Sequence, residues 1–191
     1  MALTRLSTNI IFACIVGGLA LTSAMAIYNS SSTDAVPKKI VGQAPENHPP
    51  VDAANRLVEL QKLIASDPGN ADYLSQIANL YYDAGEYANA AEYYQKTLNI
   101  RPGEPNVETD LATCFYNLGQ LDKSLEVLDA VLSRNPGFTQ AKFNKGIVLI
   151  YGKKDAKAGI AVWEDLLREN PEYGQRAELE QKIKELKVSM P

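Results

Sequence analysis

The stretch Leu111–Gln120, LATCFYNLGQ, carries Ala112, Phe115 and Gly119 at intervals of three and four residues. The stretch Ile77–Glu86, IANLYYDAGE, carries Ala78, Tyr81 and Gly85 at the same intervals, 34 residues earlier. Pro68, Pro102, Pro136 and Pro171 punctuate the chain at spacings of 34, 34 and 35. A fixed period of this size marks one supersecondary unit repeated along a stack. It divides the middle of the chain into segments 71–104, 105–138 and 139–173.

Each segment predicts two helices. In the first, Leu74, Ile77, Ala78 and Tyr81 recur at helical spacing, and so do Ala90, Ala91, Tyr94 and Leu98 after Gly85. Gly85 suits a helix end that needs φ > 0. Pro102 follows the second helix, which it cannot continue. Antiparallel helices approach closely only where side chains are small. Ala78, Ala112 and Gly146 supply that contact on the first helix, and Ala90, Ser124 and Gly159 on the second. Tyr81, Phe115 and Leu149 fill the space beside them. Such a seam tolerates little added volume.

These positions resemble the tetratricopeptide repeat family over residues 71–171. The first copy matches at Leu74, Ile77, Ala78, Tyr81, Ala90, Tyr94 and Pro102. The second matches at Leu111, Ala112, Phe115, Ser124, Leu128 and Pro136, and the third at Gly146, Leu149, Gly159, Trp163 and Pro171. Glu108 and Lys142 stand where the family has an aromatic, and Lys145 where it has leucine. From Gly152 to Gly159 is seven residues, against five for Gly85–Ala90 and Gly119–Ser124, so YGKKDAKAG predicts a longer turn in the third copy.

The expected fold is therefore all-α, a solenoid of antiparallel helix pairs over residues 51–191, with eight helices and no sheet. Residues 52–66 predict an unpaired leading helix. Residues 174–189 predict a solvating cap of the kind that closes a solenoid. Its narrow stripe is Leu179, Ile183 and Leu186, with i,i+4 pairs Glu178–Lys182 and Glu180–Lys184.

Ahead of the repeats, Ile10–Tyr28 is an uncharged apolar run of 19 residues. As a helix it would span about 28 Å, close to a bilayer's hydrocarbon core. Residues 1–28 are read as a transmembrane anchor, with an extracytoplasmic (periplasmic) C-terminal domain suggested by Arg5 on the short leader. The alternative is a signal peptide cut near Ala26, giving a secreted chain. Residues 29–50, rich in serine and proline, read as a flexible linker.

A net charge of −4 offers no basic patch for nucleic acid. Cys14 and Cys114 lie a hundred residues apart, without metal-ligand spacing. The one histidine, His48, sits among prolines with nothing to orient it. No phosphate loop or nucleophile elbow occurs. The chain is read as a non-enzyme without cofactor, metal or small-molecule substrate. Trp163 and Cys114 are expected in the core.

The family resemblance implies a concave groove lined by first helices. Its implied residues are Ser75, Asn79 and Tyr82, then Thr109, Thr113, Tyr116 and Asn117, then Phe143, Asn144, Ile147 and Ile150. The groove runs from polar to apolar, which suits a partner's peptide or amphipathic helix. The competing reading packs Ile147 and Ile150 against the cap and leaves Tyr82 and Tyr116 as ordinary surface tyrosines. Ser75 occupies the place of a groove lysine, so the carboxylate clamp of chaperone-binding members is not supported. The resemblance implies a membrane-anchored module that recruits a protein partner. A narrower version resembles the repeat subunits of bacterial cytochrome c maturation, which hold apocytochrome. The alternative is an accessory subunit bound permanently in a membrane complex.

Overall fold

The computed structural model describes residues 53–190. Within them lie eight α-helices and no strand. They are α1 (Ala53–Ser66), α2 (Ala71–Asp83), α3 (Tyr87–Ile100), α4 (Pro105–Asn117), α5 (Leu121–Arg134), α6 (Thr139–Ile147), α7 (Ala156–Glu169) and α8 (Arg176–Ser189). Helix α2 pairs with α3, α4 with α5 and α6 with α7, and each pair packs on the next. The segments 1–28 and 29–50 lie outside the described residues. No helix among the described residues is long and apolar enough to cross a membrane.

Local chemistry sets the helix ends. The Asn70 side chain accepts from the backbone N–H groups of Asp72 and Tyr73 at 3.1 and 3.2 Å, satisfying two orphan donors of α2. Pro105 opens α4, where a missing N–H costs nothing. Gly85 and Gly119 close α2 and α4 at φ 77° and 73°. There the next residue's N–H donates back to Tyr81 and Phe115, both at 2.8 Å.

The third turn corrects the sequence-based expectation. It is not longer. The extra residue is taken up inside the first helix, as a π-helical turn over Val148–Gly152. The left-handed residue is Lys154, at φ 59°, five residues before Gly159 as Gly85 is before Ala90. Gly152 serves packing instead: a Cβ there would lie 2.8 Å from Leu121 Cδ2.

The small-residue seams are present in all three pairs. Ala78 and Ala90 are fully buried in one cluster. Ser124 donates through Oγ to the Ala112 carbonyl at 2.7 Å, joining α5 to α4. A Cβ on Gly159 would lie 2.8 Å from the Gly146 carbonyl oxygen, and one on Gly146 would lie 2.0 Å from Trp163 Nε1.

The three charged departures from the family pattern all find ion pairs. Glu108 meets Arg134 at 2.5 Å and Lys145 meets Asp129 at 2.6 Å. Lys142, only 7% exposed, bridges Asp165 at 2.9 Å and Glu169 at 2.5 Å. Each replaces an apolar contact by a tie between neighbouring helices.

At the ends, α1 buries only Leu60, and α8 only Leu179 and Ile183. The cap is tied through Arg176, whose guanidinium donates to the Leu167, Asn170 and Pro171 carbonyls at the end of α7. Its salt bridges differ from the expected pairs. Glu180 is held by Arg176 at 2.7 Å, and Lys182 approaches Glu185 at 3.8 Å. Arg176, fixed by those carbonyls, reaches Glu180 one turn along.

Candidate partner-binding surface

The first-helix face is smaller than the sequence implies. Asn79 and Asn117 are exposed, and Ser75, Tyr82, Tyr116 and Phe143 are half-buried. The other five are buried: Thr109, Thr113, Asn144, Ile147 and Ile150. Thr109 and Thr113 turn their hydroxyls onto carbonyls of their own helix, those of Pro105 at 2.7 Å and Thr109 at 2.9 Å. Asn144 donates to Thr113 Oγ1 at 3.2 Å, between α6 and α4. Ile147 and Ile150 join Leu179 and Ile183 of the cap in one apolar cluster. Ile150 is drawn in because the π-turn rotates it onto Gly159, whose Cβ would lie 2.4 Å from it.

The remaining side chains are held in place by specific partners. Asn79 accepts from the Tyr94 hydroxyl at 2.7 Å, and Asn117 donates to the Thr113 carbonyl at 2.8 Å. Phe143 stacks on Trp163, with centroids 5.6 Å apart, and its carbonyl accepts the indole N–H at 2.9 Å. Trp163 and Cys114 are in the core, as expected.

One residue was missed. Tyr82 and Tyr116 each stand three residues before the left-handed residue of their pair, and so does Tyr151 before Lys154. The 35-residue spacing of the last two prolines carried the signal, because it displaces the third tyrosine by one place. All three rings are half-buried. Burial pushes the Tyr116 hydroxyl up, and the nearby Tyr151 adds to the effect.

Beside Tyr82 lies an acidic neighbourhood. Burial pushes the Asp110 carboxyl up to about 7, with Asp83 adding its repulsion. Burial raises Asp83 as well. The Tyr82 and Tyr94 hydroxyls are also pushed up, first by burial and then by Asp110. Asp110 receives one long contact, from Gln140 Nε2 at 3.5 Å. Burial pushes the Cys114 thiol up to about 12, which leaves it protonated and unreactive. Among the described residues no three of His, Cys, Asp or Glu cluster to hold a metal ion.

Tetratricopeptide repeat models match residues 52–105 and 81–142. Residues 52–142 are tetratricopeptide repeats. The third helix pair of this repeat protein continues the packing beyond the matched residues. No curated protein sequence matches the chain. Among solved structures, the fold is similar to a crystal structure of MamA at TM-score 0.59 and 17% identity, covering 71% of this chain and 86% of that one. MamA 41-end from Desulfovibrio magneticus RS-1 gives 0.58 and 20%, covering 72% and 87%. The first repeat domain of Spaghetti (RPAP3), bound to the HSP90 peptide SRMEEVD, gives 0.53 and 20%, covering 62% and 94%.

Proposed function

We propose that this chain is a non-catalytic interaction module that binds a peptide or helix of a partner protein across the first helices α2, α4 and α6. The tyrosine ladder Tyr82, Tyr116 and Tyr151 carries the reading. It presents a half-exposed ring at the same place in three successive units. Tyrosine gives large contact area at low entropic cost and a hydroxyl for polar contact. Asn79 and Asn117 lie on the same face, with amide groups suited to a peptide backbone.

The RPAP3 neighbour holds a peptide, which supports the mode but not the ligand. That peptide contains two glutamates and an aspartate, whereas the face here carries Asp83 and Asp110 and has Ser75 where a clamp lysine would stand. A different peptide chemistry is indicated.

The apolar run Ile10–Tyr28 extends the proposal to a module tethered at a membrane, where tethering raises the local concentration of a bound partner. Apocytochrome during cytochrome c maturation is the narrow form of this proposal. It rests on the sequence resemblance alone.

Photo-crosslinking from position 116 in intact cells, followed by mass spectrometry, tests the reading. Peptides of a soluble partner are expected, and an apocytochrome among them selects the narrow form. Crosslinks confined to integral membrane subunits, or none to any protein, overturn the recruiting role.

A further inference from the structure

We propose that the tyrosine ladder takes a proline-rich segment of the partner, held as a polyproline II helix with a proline at every third residue. This rests on the interaction reading above and gives it a ligand chemistry.

The first observation is what the face offers a peptide. A peptide that adds to a sheet needs a strand edge, and the described residues hold no strand. An amphipathic helix needs aliphatic anchor pockets. Ile147 and Ile150, the aliphatic side chains expected there, are closed off with Leu179 and Ile183 of the cap. Rings remain: Tyr82, Tyr116 and Tyr151, each half-buried. An aromatic-lined face is the kind on which proline-rich segments dock.

The second observation is how the rings are held and spaced. Tyr82 meets Tyr87 edge-on, with centroids 5.5 Å apart. Tyr116 lies against Gly152, where a Cβ would stand 3.3 Å from its Cε2, and it packs on the same apolar cluster as Tyr151. The helices beneath are direct neighbours, since Asn144 of α6 reaches Thr113 of α4 at 3.2 Å. Packed helices lie about 8–10 Å apart. A polyproline II helix turns once in three residues, over about 9.3 Å. A proline at every third position therefore comes level with each ring in turn, and about seven residues span the ladder.

The third observation is polar. A polyproline II segment has no internal hydrogen bonds, and its prolines carry no N–H, so it needs donors from its host. Asn79 is exposed, and its Oδ1 already accepts from the Tyr94 hydroxyl at 2.7 Å. That leaves its amide N–H groups for the carbonyls of a ligand. Pro37, Pro45, Pro49 and Pro50, ahead of the repeats, are nowhere three residues apart, so the occupant is a partner's segment and not this chain's own.

The test uses the full chain in detergent micelles and fluorescence anisotropy with three labelled peptides. PAQPAQPAQ has the proline spacing, AAQAAQAAQ has no proline, and PAQSPAQSPAQS spaces its prolines by four. The first is expected to bind about tenfold tighter than the other two. Tyr116→Ala is expected to weaken it about tenfold, and Tyr116→Phe, which keeps the ring, by less than about threefold. Glu172→Gln, exposed and ahead of α8, is expected to leave it unchanged. Equal affinity for the three peptides overturns the proposal. So does a Tyr116→Ala variant that keeps its helical circular dichroism and binds the first peptide as before; if that variant loses its helical signal, Tyr82→Ala is read in its place. A displayed library of random twelve-residue peptides separates this proposal from the wider reading. If the retained peptides lack the proline spacing yet are lost from Tyr82→Ala and Tyr116→Ala, the ligand chemistry is wrong and the face stands. If the full chain retains no peptide of any class, both readings fall.

Discussion

The indole of Trp163 stands where a side chain at Gly146 would have to go. A Cβ built on Gly146 meets Trp163 Nε1 at 2.0 Å and Cδ1 at 2.4 Å, and the same N–H is fixed to the Phe143 carbonyl. Alanine favours a helix over glycine by about 1 kcal/mol, but overpacking a closed seam costs more. Gly146→Ala is expected to lower stability by a net of about 1–3 kcal/mol, read from the urea midpoint. Gly174→Ala, with no atom within 4 Å of its Cβ, is the control and is expected to stay within about 0.5 kcal/mol.

Lys154 is the one non-glycine residue with positive φ among the described residues, at a position held by glycine in the other two pairs. A side chain there works against the backbone. Lys154→Gly is expected to raise stability by about 0.5–1 kcal/mol in thermal unfolding. A loss instead would show that the lysine makes up its backbone strain elsewhere.

Lys142 joins α6 to α7, yet both of its carboxylate partners keep access to water. Replacing it by an apolar chain of similar length strands no buried charge. Lys142→Met is accordingly expected to change stability by less than about 1 kcal/mol. Glu169 now titrates below its ordinary value, chiefly because Lys142 hydrogen-bonds to it. In the variant its titration, followed by carbon NMR, is expected to move up.

Asp110 gives the fold a pH dependence. Its folded-state value of about 7 lies above that of an unfolded aspartate. Between the two, the folded chain holds a proton that the unfolded chain releases. Stability should therefore fall as pH rises from about 4 to about 7, then level off. Asp110→Asn is expected to remove that slope. The variant should match the parent near pH 4 and exceed it by about 1–3 kcal/mol near pH 8, in urea melts.

The period, the helix pairs and the seams were legible because each depends on residue size at fixed spacing. Ala112 and Ser124 show it: a small residue at each place is enough to specify the approach. The binding face was less legible because exposure depends on what neighbours do. Nothing in the spacing of Thr109 and Thr113 shows that their hydroxyls turn onto their own helix. For Ile147 and Ile150 the sequence left groove and cap contact as rival readings, and the cap helix packed on them decides for the second. The third turn misled because Gly152 resembles the turn glycines, while the residue that adopts their conformation is a lysine.

The π-turn at Val148–Gly152 has one more effect. A single extra amino acid in a coiled rod ordinarily throws everything downstream out of phase, by roughly a quarter rotation. Here the surplus is swallowed within one widened loop of backbone hydrogen bonding. Trp163 then comes round to the station that Tyr94 and Leu128 hold in the earlier units. The fold keeps its frame by confining a counting error to five residues, and the connector after it stays as tight as its siblings.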